Sequence, residues 1–151
     1  MPASFTGSFA RRLDTLSNLR VKEAVDGDAL EPGTAYVAPG GMQMVIENKT
    51  GHSAVRIRES YEGEQYKPSV DITYKSVANV YRDAALAIIL TGMGTDGRDG
   101  AVLLKRSGSA IWAQDERTSV VYGMPHAVIE AGAADRILPL AEITHQLVMG
   151  A

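Results

Sequence analysis

The chain of 151 residues contains no cysteine. Disulfides, thiolate metal sites and a cysteine nucleophile are therefore excluded. It also lacks an excess of positive charge, since 15 Lys and Arg stand against 18 Asp and Glu for a net charge of −3. That balance argues against nucleic acid or an anionic membrane as a partner. The pairs Arg11-Arg12 and Lys105-Arg106 are isolated and do not make a basic stripe. No apolar run approaches spanning length, and the opening "MPASFTGSFARR" has no apolar signal core. The expectation is a cytoplasmic protein without membrane insertion. Repeats, low-complexity tracts and linkers are absent as well. What is present is ordinary for a globular chain, with 45% apolar and 22% charged residues, and one domain over residues 1–151 is expected.

Periodicity divides the chain into two characters. Phe5, Phe9, Leu13 and Leu16 recur every three or four residues, which predicts a helix with these side chains on one face. Val21–Ala24 and "TAYVAPGG" read as short strands separated by the turns Asp26-Gly27-Asp28 and Pro32-Gly33. "MQMVI" and "SAVRI" flank "ENKTGH" as a β-hairpin with a loop of several residues. After Pro68 the pattern changes. Ser69 is a good N-cap for a helix carrying Val70, Tyr74, Val77 and Tyr81. The strand "ALAIIL", a glycine loop, a helix over about 100–107 and the strand "AIWAQ" follow, then the helix "PHAVIEAG", the strand "RILPL" and a last helix with Ile143 and Leu147 inward. Strands alternating with helices imply an α/β, doubly wound fold with a mainly parallel sheet, preceded by a β-hairpin in the first third.

The loop "LTGMGTDGRDG" carries the chemistry. Gly92-x-Gly94-x-x-Gly97 follows a strand and opens a helix, as a dinucleotide-binding turn does, and Asp115 lies 18 residues past Gly97 where a ribose-binding acid would stand. Two carboxylates oppose that reading. Asp96 lies within the would-be phosphate cradle, and Asp99 is placed to cap the helix itself. A carboxylate about 4 Å from a phosphate costs on the order of 4 kcal/mol per charge pair at an effective dielectric near 20. Asp96 also stands beyond the carboxyl end of a strand, where a carboxylate can hold a histidine in the tautomer needed for general-base work. Spacing alone equally allows Thr95-Asp96-Gly97 to be a plain turn with an Asx hydrogen bond.

Longer motifs bear on the choice. "MPASFTGSFARRLDTLS", "VKEAVDGDALEPGTAYVAPGG", "KPSVD", "LTGMGTDGRDGAVLLK" and "AQDERTSVVYGMPHAVIEAGAADRILPL" together resemble the catalytic domain of chemotaxis protein-glutamate methylesterases, the CheB family. The resemblance implies a Ser-His-Asp mechanism that hydrolyses glutamate methyl esters, and deamidates glutamines, on methyl-accepting chemotaxis receptors. It implies Asp96 as the acid of the triad, with Met93, Gly92 and Gly94 forming the loop beside the oxyanion site. No cofactor or metal is implied. The family serine and histidine lie upstream of "MetPro", so the resemblance implies that both are absent here, with the first βα unit of about 30 residues. A phosphorylatable regulatory domain often precedes the domain in this family.

None of the three histidines, His52, His126 and His145, matches the family base, and no Gly-x-Ser-x-Gly elbow occurs. The chain alone is therefore expected to be inactive. Loss of the βα unit is expected to uncover apolar surface and invite self-association. In an extended chain, Asp96→Asn is expected to keep the fold while lowering turnover about 10⁴-fold, by analogy with other triads. Two other readings stand beside this one: an inactive relative that binds a receptor or partner, and a dinucleotide module. Gln43, where relatives often carry histidine, has no evident role in the sequence.

Overall fold

A computed structural model describes residues 1–150. Helix α1 (Ala3–Leu16) leads into a parallel pair, β1 (Arg20–Glu23) and β2 (Thr34–Val37), which run side by side from Arg20↔Thr34 to Glu23↔Val37. The hairpin β3 (Gln43–Lys49) and β4 (His52–Arg58) follows. Its pairing reaches Lys49↔His52, so "ENKTGH" is mostly strand and the loop is only Thr50-Gly51. Gly51 has φ +84°, the left-handed conformation that tight hairpin turns require. The β1–β2 connection lies along the hairpin, where Gly27 N donates to Val55 O and Val55 N to Asp28 O, both at 2.8 Å.

The second part alternates as the sequence predicts: α2 (Val70–Tyr81), β5 (Leu86–Ile89), α3 (Arg98–Arg106), β6 (Ala110–Gln114), α4 (Gly123–Glu130), β7 (Arg136–Leu138) and α5 (Leu140–Val148). β5, β6 and β7 form a parallel sheet in that order. The expected sheet is thus divided: β1–β2, β3–β4 and β5–β7 are separate sheets, with three of the four pairings parallel. Periodicity fixes which face of a strand is buried, but not which strands become neighbours. The main core lies around β5 and β6, where Ile89, Ala101, Leu104, Ile111 and Val128 are buried together. A smaller cluster of Ala24, Ile46 and Val55 sits under the hairpin.

Two helical faces differ from expectation. In α1 the large apolar residues point outward: Phe5 is 60% exposed and Leu16 75%. Its buried positions are instead Thr6 and Ala10, spaced by four, and exposed Asp14 one turn further on reaches β1 with its carboxylate. Thr6 and Ala10 are buried, Thr6 Oγ1 accepts from Gly40 N at 3.1 Å, and Asp14 Oδ1 accepts from Val21 N at 2.7 Å. Small and polar side chains let the helix approach β1 closely, and the hydrophobic count could not see them. In α5, Ile143 is buried but Leu147 is half exposed. Among the described residues no helix is long and apolar enough to cross a membrane.

Candidate active site

The loop from Leu90 to Gly97 leaves β5 at its carboxyl end and turns into α3. Gly94 and Gly97 have φ of +92° and +97°. At Gly97, which caps α3, a Cβ would lie 2.8 Å from Ile89 Cδ1 and 3.1 Å from Val70 Cγ1, so neither the dihedral nor the space admits a side chain. That tight turn carries Asp96 inward against the start of α2, where it is only 7% exposed.

There the carboxylate meets three donors. Oδ1 accepts from Ser69 Oγ at 2.8 Å and Asp71 N at 3.0 Å, and Oδ2 accepts from Val70 N at 2.7 Å. The amides belong to the first turn of α2, whose N–H groups have no partner within the helix and whose dipole favours an anion. The arrangement is reciprocal. Asp71, in that same turn, accepts from Gly100 N in the first turn of α3 at 2.7 Å. Gly100 makes the crossing possible, since a Cβ there would lie 2.6 Å from Tyr74 Cβ. Burial above all pushes the Asp71 carboxyl upward from its ordinary value; Asp96 and Asp99 add repulsion, while the Gly100 amide opposes it.

This pairing corrects the sequence reading of Asp99. The side chain that caps α3 is Asp71 from the neighbouring helix, and Asp99 instead lies half exposed beside Arg98 at 3.0 Å. It also removes the dinucleotide reading. The amide a phosphate would use at the start of α3 is held by a carboxylate, and a second carboxylate fills the turn. Asp115, the supposed ribose acid, accepts instead from Thr118 N and Thr118 Oγ1 in its own turn.

The other side of the loop is closed by backbone. Gly92 N donates to Val121 O at 2.9 Å, and Met124 N donates to Gly92 O at 2.8 Å. A Cβ on Gly92 would collide with Met124 Sδ, and one on Gly123 would lie 3.0 Å from Gly92 O and Gly94 N. These glycines bring two loops into contact. Met93 stands at the crest, 83% exposed. Buried Gln114 supports the loop from beneath, with Oε1 accepting from Thr91 N at 2.8 Å.

Beside the loop, an open cleft of about 670 Å³ runs between α3 and α4, lined by Gly94, Thr95, Arg98, Gly123, His126 and Glu130. His126 faces Glu130 at 3.4 Å and packs on Tyr122. His52 begins β4 and His145 lies on α5, so neither belongs to the loop cluster. Hydrogen bonding thus ties Asp96 to Ser69, Val70 and Asp71, and to no histidine among the described residues. The sequence reading names Asp96, Met93, Gly92 and Gly94 as site residues, and all four lie on this loop. It missed Asp71 and the supports Gln43 and Gln114, whose bonds to Gly100, Ser69 and Thr91 each span more than 20 residues and leave no local pattern.

The site is that of an α/β domain with a carboxylate buried on a glycine loop past a strand end, where open α/β sheets bind their ligands. Comparison with known proteins gives the family. A family model described as CheB methylesterase matches residues 1–147. The chain is 52% identical over 149 residues to the protein-glutamate methylesterase/protein-glutamine glutaminase of Vibrio parahaemolyticus, covering 99% of this chain and 40% of that protein. It is 54% identical over 148 residues to protein-glutamate methylesterase/protein-glutamine glutaminase 2 of Pseudomonas fluorescens, covering 98% and 39%. The crystal structure of the Thermotoga maritima CheB methylesterase catalytic domain superposes with a TM-score of 0.94 at 42% identity, covering 99% of this chain and 79% of that one. The chain belongs to the CheB methylesterase family. It spans about 40% of the length of the curated relatives it matches.

Proposed function

We propose that these residues form the acid-bearing part of a protein-glutamate methylesterase and glutamine deamidase acting on methyl-accepting chemotaxis receptors in the cytoplasm. The observation that carries the reading is the acceptor arithmetic at Asp96. An ionised carboxylate offers about four lone-pair sites, and three are filled by Ser69, Val70 and Asp71. One site on Oδ2 is left for a single further N–H, the demand that a triad acid meets when it holds the base imidazole.

In the proposed reaction a serine oxygen bonds to the ester carbonyl carbon while the histidine takes the serine proton. The C–OCH₃ bond then breaks, and methanol leaves with that proton. Water attacks the acyl-serine and restores both groups; with glutamine the leaving group is ammonia. Asp96 accepts from the imidazole and fixes its tautomer and orientation. Met93, Gly92 and Gly94 form the loop on the oxyanion side, and the close approach of Gly92 to Met124 and of Gly94 to Tyr66 supports a rigid role there. Among the described residues no histidine bonds Asp96, so the reading assigns the serine and histidine to the part of the relatives that these residues do not match.

The test is a hybrid in which residues 1–151 replace the matching stretch of the Vibrio parahaemolyticus relative. The hybrid is expected to release methanol from methylated receptor and ammonia from receptor glutamine, while residues 1–151 alone release neither. A folded hybrid without turnover, or turnover by the chain alone, contradicts the reading.

A further inference from the structure

Gln43 is fully buried and lies at the start of β3, far in sequence from the loop it serves. A buried amide is costly unless its donors and acceptor are paired. Here they are: Nε2 donates to Tyr66 O at 2.6 Å and to Ser60 Oγ at 2.9 Å, and Oε1 accepts from Ser69 N at 2.9 Å. Ser69 is in turn the N-cap of α2, and its hydroxyl proton goes to Asp96 Oδ1. The chain of contacts thus runs from the hairpin, through one amide and one hydroxyl, to the carboxylate.

We propose that Gln43 and Ser69 are positioning residues for Asp96. The proposal rests on the reading of Asp96 as the acid that orients the base. Gln43 pins the backbone of Ser69 by its N–H. That fixes the direction of all three donors, since Val70 N and Asp71 N follow directly in the chain. Ser69 then takes a site on Oδ1, so the open acceptor site lies on Oδ2. A carboxylate held only by two amides would rock about them and present the imidazole with a shifting partner. Misplacement of this kind lowers the rate of the chemical step and leaves substrate binding untouched.

The experiment uses the hybrid enzyme with four substitutions: Ser69→Ala, Gln43→Leu, Gln43→His and Asp96→Asn. Ser69→Ala and Gln43→Leu are expected to lower kcat roughly 10-fold, with KM changed by less than about twofold. Gln43→His is expected to recover most of the loss. One ring nitrogen can accept from Ser69 N, and the other can donate to Tyr66 O. Such rescue, with the KM-against-kcat split, separates positioning from general destabilisation. If Gln43→Leu does not fold, Ser69→Ala decides alone, because it keeps the backbone bond to Gln43. Wild-type kcat in the folded Ser69→Ala and Gln43→Leu enzymes, with Asp96→Asn inactive, overturns the proposal but not the role of Asp96. Wild-type kcat in Asp96→Asn overturns both.

Discussion

Helices α1 and α3 make an instructive pair. Both carry regularly spaced apolar residues, but α3 uses them inward, with Ala101 and Leu104 at 0% and 1% exposure. α1 turns Phe5, Phe9 and Leu16 to solvent and packs through Thr6, Ala10 and Asp14. The difference lies in what each helix meets. α3 is enclosed by α2, α4 and β6, so Leu104 is surrounded by apolar neighbours while Gly100 and Ala101 allow the close crossings. α1 packs mainly on the short β1–β2 pair and the Gly40 turn, which small residues approach best. A hydrophobic period thus announces a face, while the partner decides whether that face is the buried one.

The contrast can be broken by substitution, and the largest effect belongs to α3. Leu104→Ala is expected to cost about 2–5 kcal/mol in chemical unfolding, through lost burial and the cavity left behind. Ala10→Leu probes the inner stripe of α1, where overpacking against β1 is expected to cost about 1–3 kcal/mol. At the crossing of α2 and α3, Asp71→Ala leaves Gly100 N buried without a partner and is expected to cost about 1–2 kcal/mol. Asp71→Asn keeps an acceptor for that amide and removes a charge facing Asp96 and Asp99. It should change stability by less than about 1 kcal/mol, in the stabilising direction. Smallest of all, Phe9→Ser on the outer face of α1 is expected to fall within about 0.5 kcal/mol. A cost for Phe9→Ser comparable with that of Leu104→Ala would mean that α1 is covered in solution.

A third region is held by charge. Arg58 binds Glu64 with both guanidinium branches, at 2.9 and 2.7 Å, and this hydrogen bonding, foremost, lowers the Glu64 carboxyl to about 2 from an ordinary 4.5. Because the folded value is the lower one, the pair's contribution is complete above about pH 4.5 and is lost as pH falls toward about 2. Glu64→Gln should therefore flatten the acid limb of a thermal-stability profile over that interval and leave the neutral limb nearly parallel.

Much of this was legible in advance. Strand and helix identity followed from period, and Ser69 was readable as a cap. The carboxylates Asp96 and Asp99 spoke against a phosphate cradle, and the family resemblance singled out Asp96 between them. What stayed hidden were relations between distant segments. Asp71 caps a helix 29 residues away, and Gln43 reaches Ser69 across 26 residues. Hydrogen bonds of that reach leave no local pattern. For the same reason the sequence placed the capping duty on Asp99, which is adjacent to the helix start but turned away from it.

The structure also changes what Asp96→Asn is expected to do. Both carboxylate oxygens accept, so an amide NH₂ would face Val70 N on one side or Asp71 N on the other. The substitution should cost about 1–3 kcal/mol of stability as well as activity, a cost that the sequence reading does not anticipate. Asp96 is thus assigned two duties, capping α2 and orienting a base, and they separate by measurement. The direct test is kcat for methanol release by the Asp96→Asn hybrid, taken at a temperature where unfolding shows it fully folded. The account predicts a fall of about 10⁴-fold, far beyond anything a stability loss produces in a folded enzyme. Turnover close to that of the unsubstituted hybrid would leave Asp96 as a helix cap alone.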